Sequence, residues 1–223
     1  MFDVASKYCF ALDKDSKKSL NYYLLLSNIE KYVNGAIIEM GRLSRIRKAI
    51  TKEFKTRSLR KNYRLTYLAN DTHFYFVCID KVYKLLSRLG TELNDPDIKK
   101  LAKKLGATFD IKTVRNHLEH IDARCLGFLS IKTEKKKISK HISDFGNFFN
   151  DNFSFNGKTF PSNKGSLLEL KKIYKDLIEI LTKKYASKDP GFVWREQSDK
   201  RYKAIMKTAK KAGLFKYWEN KQK

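Results

Sequence analysis

An arginine and a histidine five positions apart, Arg115 and His120 in the segment IKTVRNHLEHIDARCL, are the side chains of this sequence best suited to act on a phosphodiester. On a helix turning by about 100° per residue, stepping from Arg115 places Glu119 near 40°, Asn116 near 100° and His120 near 140°. Ile111, Val114, Leu118, Ile121, Cys125 and Leu129 gather on the other side, between about 240° and 320°. One side is thus an apolar stripe made to pack on a core. The other collects a guanidinium, an amide, a carboxylate and an imidazole. Arginine keeps its charge and forks two donors onto a phosphate or onto the charge of a transition state. Histidine titrates near neutrality and can take or give a proton. Asn116 adds a neutral donor and acceptor. On RNA, a base would remove the 2′-hydroxyl proton, the oxygen would attack the adjacent phosphorus, and an acid would protonate the leaving 5′-oxygen. No metal and no other cofactor is expected, since the sequence shows no carboxylate cluster to hold one.

Two proton-transfer groups are wanted, and this face offers one histidine per chain, so a two-fold homodimer is expected to supply the second. His117, near 200° on the same wheel, points away from His120 and is a supporting residue at most. Glu119 is placed to orient Arg115. Read as ordinary surface, the same residues give a solvated face with an Arg115–Glu119 ion pair worth a few tenths of a kcal/mol.

The hexapeptide RNHLEH, Arg115 to His120, resembles the signature of the HEPN-domain ribonucleases: Arg, a polar residue that is often Asn, three further residues, then His. In helix order the resemblance covers roughly residues 20–186. It implies an all-α bundle whose signature lies on a late helix, after two long helices and before a further one. It implies a dimeric, metal-independent endoribonuclease, with Arg115, Asn116 and His120 as the catalytic residues. Such enzymes usually belong to bacterial toxin–antitoxin or anti-phage systems, which makes an acidic antitoxin or regulatory protein a candidate partner. Asp122 stands where a large subgroup, partnered by nucleotidyltransferase antitoxins, has Tyr.

The charge balance points to the same class of partner. Lys and Arg number 48 against 24 Asp and Glu in 223 residues, a net charge of +24. A surplus of that size opposes compaction and favours an anionic partner; nucleic acid comes first, because neutralising phosphates releases counterions. An anionic membrane surface and an acidic protein come next, and plain solubility is the unremarkable alternative. The densest block is GRLSRIRKAITKEFKTRSLRKNYR, residues 41–64, with ten Lys and Arg against Glu53. Arg45, Lys48, Lys52 and Lys55 share one helical face, opposite Leu43, Ile46, Ile50 and Phe54. With Arg57 and Arg60 they form the expected track for an RNA backbone, to which Lys135, Lys136 and Lys137 of the lysine-rich loop 132–140 add. A non-catalytic nucleic-acid-binding protein built on this track is the second functional class the sequence supports.

These residues must be carried by helices. Proline numbers three and glycine ten, and Lys and Leu abound. Asp15 or Ser16 is expected to cap a long first helix with the seam Leu26, Ile29, Val33, Ala36, Met40, Leu43, Ile46, Ile50 and Phe54, bent near Gly35 or Gly41. Asn70–Asp71 is expected to cap HFYFVCIDKVYKLLSRL, and Asp95–Pro96 to open a short helix closing at Gly106. Asp110 would cap the Arg115–His120 helix, and Asn156–Gly157 would turn a hairpin. A further helix follows through Leu167, Leu170, Tyr174, Leu177 and Leu181. After Asp189–Pro190–Gly191 come one or two short basic helices, where Tyr202, Phe215, Tyr217 and Trp218 are expected to pack the tail onto the bundle or a second subunit rather than stack on bases. The fold class is therefore all-α: a helical bundle of the HEPN type over 1–188 with one small β-hairpin insertion, and a basic helical extension over 189–223. The three cysteines, far apart, suggest neither disulfides nor a zinc site. With no apolar run of about 18 residues and no signal-peptide pattern at the start, a cytoplasmic protein without a membrane partner is expected.

Overall fold

The computed structural model describes residues 1–55, 63–114, 152–155 and 158–211. These residues are mainly helical, with one small antiparallel sheet. Helix α1 spans Ser16–Lys55 and is capped by Asp15, whose Oδ1 accepts from the N–H groups of Lys17 at 2.9 Å and Lys18 at 3.3 Å. It runs unbroken through Gly35 and Gly41. Its seam residues Leu26, Ile29, Val33, Ala36 and Leu43 are fully buried. Helix α2, Tyr63–Glu92, folds back antiparallel to α1: Tyr22 near the start of α1 reaches the carbonyl of Glu92, while Arg42 and Arg45 face Tyr67 and Asp71.

Two expected boundaries are corrected. Asn70–Asp71 does not open α2, which begins seven residues earlier at Tyr63. Leu68 is buried in the core, so the turn before Asn70 is drawn into the helix by packing, and Thr72 returns its hydroxyl to the Leu68 carbonyl at 2.7 Å. Helix α3, Pro96–Phe109, starts as expected, with the Asp95 side chain accepting from the N–H groups of Asp97 and Ile98. It does not close at Gly106. That glycine lies against α2, where a Cβ would come within 3.1 Å of the Tyr83 ring. The turn is closed instead by Asp110, in the left-handed region at φ 41°. In the tail the described part is one helix, α5, Pro190–Lys211, in keeping with the one or two expected.

Strands β1, Asn152–Phe155, and β2, Lys158–Pro161, pair antiparallel with Phe155 opposite Lys158, which leaves the two-residue connection expected of Asn156–Gly157. Phe153 and Phe160 stack across the hairpin and are buried. Helix α4, Lys164–Lys184, begins two residues ahead of Ser166, with Asn163 and Ser166 in a reciprocal capping box. Leu170, Tyr174, Leu177 and Leu181 of its expected seam are buried, and Leu167 is partly so. One core joins α1, α2, α3, α4, the hairpin phenylalanines and the N-terminal 3-10 turn Ala5–Tyr8. Helix α5 docks on that turn through Phe192 against Tyr8 and through Lys7, which pairs with Glu196 at 2.6 Å and Asp199 at 2.7 Å. Tyr202 of α5 is exposed in the single chain. No helix among the described residues is long and apolar enough to cross a membrane.

Candidate functional site: a basic ridge with two unlike flanks

The helix expected to carry the catalytic pair is described as far as Val114. Residues 111–114 are helical, and Ile111 and Val114, the first two members of its apolar stripe, are buried. Asp110 stands at its start, accepting from the N–H groups of Thr113 and Val114 through its carbonyl and from the Thr113 hydroxyl through its side chain. Arg115, Asn116, His117, Glu119 and His120 lie outside the described residues. So do Arg57, Arg60, Lys135, Lys136 and Lys137.

The described site is the C-terminal half of α1. Arg45, Lys48, Lys52 and Lys55 are all exposed, along a stretch of about 15 Å, with Leu43 and Ile50 buried behind them. Lys48 and Lys55 make no hydrogen bond or ion pair within the described residues. The ridge forms because the seam of α1 is held by the core, which leaves its opposite face to water.

The two flanks of the ridge differ chemically. Towards α4, α1 and the start of α4 enclose a cleft of about 560 Å³ lined by Met40, Ser44, Arg47, Lys48, Thr51, Asn163, Lys164 and Gly165. No acid lines it. Arg47 fixes its wall: one guanidinium nitrogen donates to the Ser162 carbonyl at 2.6 Å and the other to the Ser162 hydroxyl at 2.9 Å. That clamp ties the basic helix to the segment between β2 and α4. Lys48 and Lys164 bring two more cations to the mouth.

Towards α2 lies a second cleft of about 390 Å³, lined by Arg42, Arg45, Ile46, Tyr67 and Asp71. Its cations are opposed. Arg42 bonds to Glu39 at 2.9 Å. Asp71 sits close enough to Arg42 and Arg45 to feel both; burial raises its pKa above the ordinary value, and the two arginines pull the other way without cancelling that rise. Glu53, the lone acid of the basic block, falls on this side too, at about 80° from Arg45 on the helical wheel. His73, two residues beyond Asp71, is pushed towards its neutral form by burial.

The ridge of Arg45, Lys48, Lys52 and Lys55 was readable as one face of one helix. The contributions of Arg47, Asn163 and Lys164 were not, because they depend on α1 meeting the start of α4 more than a hundred residues away. The Asn163–Ser166 capping box was their only local signal. Such a surface can take polyanionic chains, with phosphates seated towards α4. No protein-family model matches the chain, and comparison with curated proteins and with solved structures yields no match either.

Proposed function

We propose that this chain binds RNA along the ridge of α1 and cleaves it without a metal, Arg115 and His120 acting on the scissile phosphate with Asn116 beside them. The observation that carries the binding step is the exposed row of Arg45, Lys48, Lys52 and Lys55 beside a cleft whose described lining holds cations and hydroxyls and no carboxylate. The cleavage step rests on the RNHLEH pattern and on the buried Ile111 and Val114, which turn the first part of that helix in the sense the catalytic reading needs. In this reading two copies pair so that each supplies a histidine, an acidic protein is the natural inhibitor, and a toxin or anti-phage role in the cytoplasm follows from the resemblance.

The ridge stands independently of Arg115 and His120, and this favours a second reading, a nucleic-acid-binding protein with no cleavage step. Single-stranded RNA incubated with the protein in EDTA separates the two. Cleavage leaving a 2′,3′-cyclic phosphate is expected. His120→Ala should slow it by about 10²- to 10⁴-fold, the usual contribution of a positioned acid or base, without weakening retardation of the RNA on a gel. Intact RNA retarded equally by wild type and His120→Ala leaves binding alone. RNA that is neither cut nor retarded removes both readings.

A further inference from the structure

The two flanks of the ridge imply a side for each half of a nucleotide. The α4 flank, where the described lining holds Lys48, Lys164 and the Ser44 and Thr51 hydroxyls and no acid, suits phosphate. The α2 flank does not, because Glu39 and Asp71 already face Arg42 and Arg45. What the α2 flank offers is aromatic surface. Tyr67 is 55% exposed and lines the cleft beside Arg42 and Arg45; Phe74 is 56% exposed. Seven residues separate them on one helix, so the two rings fall within about 20° of the same face and about 10 Å apart along its axis. Because α2 runs antiparallel to α1, moving from Tyr67 to Phe74 moves back along α1 from Arg45 towards Ile38, itself exposed. Tyr67 therefore adjoins the Arg45 end of the ridge, and Phe74 continues the aromatic face along α2 beyond that end. Large aromatic side chains left in water next to the end of a row of cations are a combination that binds unpaired bases: the rings stack on the bases, and the cations hold the backbone.

We infer that Tyr67 and Phe74 are a base-stacking platform for single-stranded nucleic acid, with the strand's phosphates turned to the α4 side of the ridge and its bases to the α2 side. The inference rests on the RNA reading above and adds to it which residues select unpaired strands.

The test compares three ligands by fluorescence anisotropy: a 2′-O-methyl twelve-nucleotide strand, which lacks the attacking hydroxyl, the same length of abasic phosphodiester chain, and the duplex of the same sequence. The intact strand is expected to bind wild type more tightly than the abasic chain. Tyr67→Ala and Phe74→Ala should each weaken the intact strand by roughly 5- to 150-fold and leave the abasic chain and the duplex within about twofold. Tyr67→Phe and Phe74→Tyr, which keep the ring, should bind as wild type does, separating stacking from any role of the Tyr67 hydroxyl. Circular dichroism melts of the alanine variants should match wild type, since both side chains are more than half exposed. The inference is overturned if the alanine variants hold the intact strand as tightly as wild type, or if they lose the abasic chain in equal measure. Equal wild-type affinity for intact and abasic strands overturns it while the RNA reading survives. Wild type that binds none of the three removes the RNA reading and the platform with it.

Discussion

Asp95 does two tasks with one carboxylate. It caps α3, and it holds α3 to the end of α4: the Lys184 ammonium lies 3.0 Å from each of its oxygens, and the Tyr185 hydroxyl donates to Oδ2 at 2.8 Å. Burial alone would raise its pKa, but the hydrogen bonds from Lys184 and Tyr185 and from the Ile98 and Asp97 N–H groups outweigh it and hold the carboxyl below its ordinary value. Stability from a carboxylate of depressed pKa is fully present above the unfolded value of about 3.9 and is lost as pH falls through the lower folded value. Asp95→Asn keeps the cap, because Asn caps as well as Asp, and removes the charge. It should lower Tm by a few degrees at neutral pH. Thermal melts from pH 7 down should show that gap constant to about pH 5 and closing below about 3.9; a gap that persists at the acid end would refute the ionic part. At this scale the cap was legible, because Asp–Pro is a local signal. The Lys184 and Tyr185 partners were not, since nothing near Asp95 in the sequence points to a site ninety residues on.

Among the elements, α2 and α3 meet at a tight corner. A Cβ on Gly90 would lie 3.0 Å from the Lys99 backbone nitrogen and 3.2 Å from the Ile98 side chain, in the first turn of α3. Gly35, where α1 crosses α2, would meet only the Cys78 sulfur, at 2.9 Å. Backbone cannot turn aside, whereas a cysteine sulfur can rotate. Gly90→Ala should therefore cost about 1–3 kcal/mol through overpacking. Gly35→Ala should cost clearly less, because the helix propensity gained, up to about 1 kcal/mol, offsets a displaced sulfur. Urea denaturation decides it; Gly35→Ala proving the more damaging would mean that α1 and α2 are pressed together more rigidly than the corner. Helices were the legible part of this fold. Steps of three and four gave the seam of α1 and of α4, and paired signals gave the hairpin and the start of α3. Ends were less legible, as with Asn70–Asp71, whose capping chemistry yields to the burial of Leu68. The relation between helices, which creates both clefts, is set by packing and leaves no periodic trace in the sequence.

For the molecule as a whole, the +24 charge sets two responses to salt that run in opposite directions. Screening relieves repulsion among like charges, so the fold should melt a few degrees higher at about 200 mM NaCl than at about 20 mM. The same salt should weaken RNA binding, with a slope of log K against log salt near −3 if the four ridge cations each engage one phosphate of a single strand, at about −0.7 per contact. Titrations at several salt concentrations read the slope directly, and affinity indifferent to salt would contradict a backbone-binding ridge.

Helix α5 carries a different consequence of the same composition. Its first turns are clamped by Phe192, Arg195 and Lys7, but from Arg201 to Thr208 every side chain except Met206 is exposed. Those turns keep their winding by internal hydrogen bonds alone, and helical stretches this short contribute little cohesion of their own. Trp194, Tyr202 and Ile205 project from α5 into water. The end of this helix is thus a part of the chain whose shape is decided less by the body it grows from than by whatever comes to rest against it.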